Sequence, residues 1–174
     1  AATFPRTSAW WWASLGATVA ATLGVLWIPP WDQRVMSAGP AIYGKWYLSA
    51  GQRASLKEAL RGQTILFYRD GRSGTISVNQ EGDHIFLRTN GKMDAGTAID
   101  MPTQLMSGHL PLLMHPDPRR VLVIGLGSGI TAGAVVRHPM EHLDVVEIEP
   151  AVVEASRFFS KIHNDPLTDP RVRT

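Results

Sequence analysis

Apolar and polar positions follow three different patterns along the 174 residues. Between Arg6 and Asp32, 25 consecutive residues carry no formal charge. Within that run, Trp10 to Ile28 is 19 residues long. As a helix it would reach about 28 Å, close to the ~30 Å hydrocarbon core of a bilayer. Trp10, Trp11 and Trp12 stand at one end and Trp27 and Trp31 at the other, like an interfacial aromatic belt. Gly16, Ala20 and Gly24 fall on one helix face, and Pro29-Pro30 stops the helix. The pattern predicts a transmembrane helix over residues 10–28, within a membrane region 1–31. Arg34, Lys45, Arg53, Lys57 and Arg61 follow it. Their charge puts the remainder on the cytoplasmic side of an inner or plasma membrane. The competing reading of the run is a buried helix of a soluble protein.

The next region, 32–62, has no clear period and is punctuated by Gly39-Pro40, Gly44 and Gly51. It reads as a linker with a short helix between Ser49 and Leu60. From residue 63 to 100 the pattern becomes β. Thr64–Arg69, Gly74–Val78 and His84–Thr89 are strand-like, separated by Asp70-Gly71 and Glu81-Gly82-Asp83. Asn90-Gly91 turns the chain into Lys92-Met93-Asp94. A small antiparallel meander of at least three strands is expected.

Residues 101–174 carry a third pattern. Thr103–Met114 reads as a helix, with Pro111 near its end or kinking it. Val121-Leu-Val-Ile124 is a continuous apolar run, as in a buried parallel strand. Gly125-Leu-Gly-Ser-Gly129 follows, then a helix from Ile130 to Arg137. His142–Glu149 is a second strand, and Pro150 opens a helix through Phe159. The fold class is therefore α/β: a transmembrane helix, a small antiparallel meander, then the first half of a Rossmann-like parallel sheet domain. Glycines after the first strand let the backbone turn sharply and bring a ligand close to amide groups. Glu147 lies 22 residues after Gly125, where a carboxylate can accept both hydroxyls of a ribose. The loop is GxGxG, not the dinucleotide GxGxxG, because residue 130 is isoleucine. It has no basic side chain for a pyrophosphate, so an S-adenosyl compound fits better than NAD. The bland alternative is a tight structural turn with Glu147 at the surface.

Composition narrows the classes further. There is no cysteine, which excludes a disulfide scaffold and thiolate metal sites. Net charge is +2, and Arg119-Arg120 is the only adjacent basic pair. No basic stripe tracks a nucleic-acid backbone, so no nucleic-acid partner is expected. His84, His115, His138, His142 and His163 are scattered without the spacing of a metal site. No nucleophile–histidine–acid set is visible.

Several segments together resemble the polyamine aminopropyltransferase (spermidine synthase) family, especially its bacterial membrane-fused branch. They are Leu66–Gly71, Leu87–Gly91, Gly108-His-Leu-Pro111, His115-Pro-Asp-Pro118, Val121–Gly129 and Val146-Glu-Ile-Glu-Pro150. Their order is specific where no single piece is. The resemblance implies a β domain followed by a Rossmann-like domain. It implies transfer of an aminopropyl group from decarboxylated S-adenosylmethionine to putrescine or a similar amine, releasing methylthioadenosine without a metal. By resemblance, Glu147 holds the donor ribose and Gly125, Gly127 and Gly129 line the nucleoside loop. Gln104 and His109 border the donor and amine pocket. Ser128 stands where the family carries an aspartate that contacts the aminopropyl amine. Asp100, Met101, Pro102 and Thr103 replace the family's tyrosine and paired acids. The resemblance also implies further transmembrane helices of a parent chain, a possible homodimer, and a catalytic aspartate beyond residue 174. The 174 residues are thus expected to be an inactive piece of a larger enzyme.

A sulfonium is already a good leaving group, so the demanding step is freeing the attacking amine of its proton. Asp94, Asp100, Glu147 and Glu149 are the acids near the expected cleft. Two other classes stay open. One is an S-adenosylmethionine-dependent methyltransferase, since Ser128 supplies no charge for an ammonium. The other is a non-catalytic membrane protein with a nucleoside-binding domain.

Overall fold

A computed structural model describes residues 8–49 and 55–174. They divide into two units, one ending at Asp32 and one comprising Gln33–Thr174.

The first unit is helix α1, Ser8–Leu26, 19 residues long. Thr18 and Thr22 return their hydroxyls to carbonyls four residues back, each at 2.9 Å. Among the described residues, no helix is long and apolar enough to cross a membrane. This overturns the transmembrane helix expected over 10–28 and the membrane region 1–31. The membrane partner through residues 10–28 and the inner-membrane location with a cytoplasmic domain were drawn from that span and fall with it, and the span no longer supports further transmembrane helices of a parent chain. Aliphatic bulk in α1 is limited to Leu15, Val19, Leu23, Val25 and Leu26. Gly16, Gly24, Ser14, Thr18 and Thr22 interleave with it and dilute its apolarity. Freedom from charge is a weaker condition than sustained hydropathy.

The second unit opens with short helices α2 (Gln33–Met36), α3 (Pro40–Ser49) and α4 (Leu56–Ala59). The sequence suggested a linker here. Part of the helix expected between Ser49 and Leu60, and the Gly51 and Arg53 readings, lie outside the described residues. Strands β1 (Gln63–Asp70), β2 (Thr75–Glu81), β3 (His84–Thr89) and β4 (Lys92–Gly96) form an antiparallel sheet in sequence order. Asn90 and Gly91 both have positive φ, +50° and +80°, which gives the hairpin turn the twist its strands need.

The meander is buried on both faces. Ile76, Val78, Leu87 and Ala95 join the main core, together with Val152, Ala155 and Phe159. The opposite face carries Ser77, Asn79 and Arg88 and is covered by α2 and α3. Asn79 donates to Ser37 Oγ at 3.3 Å and Arg88 to the Tyr47 hydroxyl at 2.7 Å.

Helix α5, Met101–Met114, keeps Pro111 inside it. It leads to a second sheet of β5 (Arg120–Ile124), β6 (His142–Val146) and β7 (Val172–Arg173), all parallel in that order. Helix α6 (Ile130–Val135) joins β5 to β6. Helix α7 (Pro150–Ser156), a 3-10 turn, α8 (Ser160–His163) and a second 3-10 turn join β6 to β7. Val121, Val123, Leu143 and Val145 face the core, while Leu122, Ile124 and Val146 on the other face are exposed.

Candidate functional site

The carboxyl ends of β5 and β6 meet at the glycine loop. Gly125 donates its N–H to Val146 O at 2.8 Å, which pins the end of β5 to β6. Gly125, Gly127 and Gly129 have φ of +84°, +55° and +84°, values a side chain would strain. A Cβ on Gly129 would also sit 3.0 Å from His163 Cδ2. That close approach of α8 supplies a second reason for glycine there.

Glu147 follows directly on β6. Its Oε2 accepts the Leu126 N–H at 2.8 Å and its Oε1 the Glu149 N–H at 2.9 Å. The carboxylate is therefore held against the glycine loop by two backbone donors. Each oxygen keeps lone-pair capacity for a ligand hydroxyl. Glu149, two residues on, has a different task. It caps α7 by accepting the Ala151 N–H at 3.1 Å, and accepts both the N–H and the hydroxyl of Ser73 at 2.8 Å. Those donors, the Ser73 amide first, hold its carboxyl below the ordinary glutamate range. Gly71 passes close enough that a Cβ would fall 2.4 Å from the Glu149 carboxyl carbon.

Ser128 is 2 % exposed, and its hydroxyl donates to Gln104 Oε1. Gln104 in turn donates to Gly96 O at 2.8 Å, and its carbonyl accepts the Thr131 hydroxyl at 3.0 Å. These bonds tie the loop, the start of α5 and the end of β4 together. His109 is on α5 but contacts His138, with Nδ1 to Nε2 2.8 Å apart. The structure thus groups Gly125, Gly127, Gly129 and Glu147 at one strand end. Gln104 and Ser128 join them from the side, and His109 is engaged with His138. Asp94 pairs with Lys92, and Asp100 sits at the start of α5 without a side-chain cap bond. Among the described residues, no three or more His, Asp or Glu side chains gather as a metal site would require.

Sequence reasoning missed two residues. Ser73 reaches Glu149 across 76 positions, and only Gly71 and Gly74 around it hinted at a constrained turn. His163 accepts the Asp165 N–H on Nδ1 at 2.9 Å and reaches Ser156 O through Nε2 at 2.9 Å. It packs under Gly129 and Gly133. Nothing in its spacing announced that.

A strand, a glycine loop with left-handed residues, a helix, and an acid at the end of the next strand make a Rossmann-like α/β arrangement. Residues 101–174 match the model of the spermine/spermidine synthase domain family. The chain is 42 % identical over 74 residues to spermidine synthase of Dictyostelium discoideum, covering 42 % of this chain and 26 % of that protein. It is 43 % identical over 72 residues to putrescine N-methyltransferase 3 of Nicotiana tabacum, covering 41 % of this chain and 19 % of that one. The crystal structure of spermidine synthase from Thermotoga maritima superposes with a TM-score of 0.58 at 25 % identity, over 63 % of this chain and 38 % of that chain. The chain spans well under half the length of each of these proteins.

Proposed function

We propose that residues 101–174 bind the nucleoside of decarboxylated S-adenosylmethionine and that the protein transfers its aminopropyl group to putrescine or a similar amine. In this reading 63–100 is a small β domain placed before the nucleoside domain. The observation that carries it is Glu147, whose carboxylate lies 2.8 Å from the Leu126 amide. The ribose-binding acid and the nucleoside loop thereby form one unit. Gly125, Gly127 and Gly129 let the backbone approach the nucleoside, and Gln104 and Ser128 brace the loop. The local charge also favours a decarboxylated donor. Gly125–Gly129 contains no Lys or Arg to pair with a methionine carboxylate, and the Glu147 carboxylate stands beside it, with Glu149 two residues further along the chain. Both of those acids are engaged by backbone donors, and the general base is assigned to neither.

A second reading, methyl transfer from S-adenosylmethionine, is favoured by one observation. Ser128 is neutral and turned toward Gln104, so it offers no charge to an aminopropyl ammonium. The tobacco putrescine N-methyltransferase is as similar in sequence as the spermidine synthase. Calorimetric titration of the two donors separates the readings. Aminopropyl transfer predicts that the decarboxylated donor binds about tenfold tighter, a difference of about 1.4 kcal/mol. Tighter binding of intact S-adenosylmethionine would transfer the conclusion to methyl transfer.

A further inference from the structure

The meander buries a cation on the face that α2 and α3 cover. Arg88 on β3 is 2 % exposed, yet none of the ion pairs among the described residues includes it. Its partners are all neutral: Ser37 O at 3.1 Å, Gln63 Oε1 at 3.4 Å and the Tyr47 hydroxyl at 2.7 Å. Its Nε is buried and has no hydrogen-bond partner. No carboxylate bonds it directly; the Glu81 charge reaches it only at longer range, through Gln63, and a buried charge without a direct ion pair is costly. Desolvation accordingly pulls the guanidinium below the ordinary arginine range.

Beside Arg88 is a cavity of about 330 Å³. That volume is in the range of small-molecule sites. Its walls are mostly aromatic and apolar, with Tyr43, Trp46, Tyr47, Phe86, Met93 and Ile99 lining it together with Arg88. Trp46 meets Tyr47 edge-on at 5.3 Å, and the guanidinium carbon lies 4.7 Å from the centre of the Phe86 ring. One acid, Glu81, also lines the cavity. It is only partly buried, and its Oε2 accepts from Gln63 Nε2 at 3.0 Å.

We infer that this cavity is a binding site for a small monocarboxylate with an aromatic or branched apolar body, its carboxylate directed at Arg88. The planar fork of a guanidinium matches a carboxylate, and the aromatic walls match a flat apolar body. A phosphate or dianion would need more donors than one guanidinium provides, since the Tyr47 hydroxyl already donates to Ala38 O at 3.1 Å. Glu81 further opposes a second negative charge. The site is separate from the glycine loop and does not rest on the proposed transfer reaction.

Phenylacetate, phenylacetamide and phenethylamine are suitable probes, because they share a ring and differ in charge. Calorimetry on the whole chain should show phenylacetate binding about tenfold tighter than the amide, with the amine weakest. The Arg88 Nε–H resonance should shift on saturation, and methylthioadenosine should not displace the acid. Arg88→Gln, shown to be folded by its amide spectrum, should bind acid and amide alike. Should that variant not fold, Trp46→Ala trims an exposed wall; it should weaken acid and amide together and keep the preference for the acid. Equal binding of acid and amide to the native chain would overturn the inference. So would preference for the amine, which would make Glu81 the recognising charge, absence of phenylacetate binding at millimolar concentration, or an unmoved Arg88 resonance.

Discussion

Glu147 and Ser128 are 19 positions apart in sequence and both fix the same five-residue loop. Glu147 accepts the Leu126 amide, and Ser128 anchors the loop to Gln104 while accepting the Ile130 N–H at 3.3 Å. Removing the Ser128 hydroxyl therefore costs a buried bond and leaves Gln104 short of a donor. Ser128→Ala should destabilise the fold by about 1 kcal/mol, the usual net worth of one such bond. Urea unfolding measures this. Because the hydroxyl faces Gln104, nucleoside affinity should change far less than when Glu147 is altered. At this scale Glu147 was legible, since its distance from the loop is fixed by one strand–helix–strand unit. The direction of the Ser128 hydroxyl was not, because its partner lies 24 residues earlier on another element.

Elements show the same division between local and distant causes. The β5, β6 and β3 patterns are local and were read within a few residues. Helices α2 and α3 were read as linker because 32–62 has no clear period and is broken by Gly39-Pro40 and Gly44, and the sheet face they cover is polar. Ser77, Asn79 and Arg88 look like solvent-facing positions until Ser37 and Tyr47 are seen to bond them. The α5–α6 contact offers a sharp test of packing. A Cβ on Gly108 would lie 2.6 Å from Ala134 Cβ and 2.7 Å from Thr131 O. Alanine gains about 1 kcal/mol in helix propensity over glycine. Forcing two rigid helices apart costs about 1–3 kcal/mol, so packing outweighs propensity. Gly108→Ala should lower the thermal midpoint, and an unchanged or raised midpoint would show that the helices do not meet this closely.

The approach to β7 depends on pH. Arg171 donates to Asp169 through Nε at 2.9 Å and Nη2 at 2.7 Å, and its Nη2 also reaches Val136 O at 2.9 Å. The Arg171 side-chain bonds and backbone N–H hold the Asp169 carboxyl down to about 2. A carboxylate with a depressed folded pKa stabilises the fold above its unfolded value near 3.8 and loses that contribution as pH falls toward about 2. Asp169→Asn should thus be less stable than the native chain at pH 5–7. The gap should close as pH drops through that acid window in denaturant titrations. A gap that widened toward low pH would contradict the pairing.

The molecule as a whole combines one helix, Ser8–Leu26, with a second unit whose two sheets share a core. The reading of the first helix as membrane-spanning failed because charge-free length was taken for hydropathy. The second unit was better marked, since its glycine loop and following acid are a contiguous motif. The likeness to the spermine/spermidine synthase domain is confined to residues 101–174, and the rest of the second unit contributes the meander and the Arg88 cavity. The central claim is that Glu147 and the glycine loop hold a nucleoside. Its most direct test is titration of methylthioadenosine into the native chain and Glu147→Gln, by calorimetry and amide spectra together. The charge-assisted bonds of a carboxylate to two ribose hydroxyls are worth roughly 1.5–3 kcal/mol each. The native chain should bind with shifts at Leu126, Gly127 and Glu149, and a folded Glu147→Gln should bind at least about tenfold more weakly. Equal affinity in the two folded proteins, or shifts confined to other residues, would contradict the assignment.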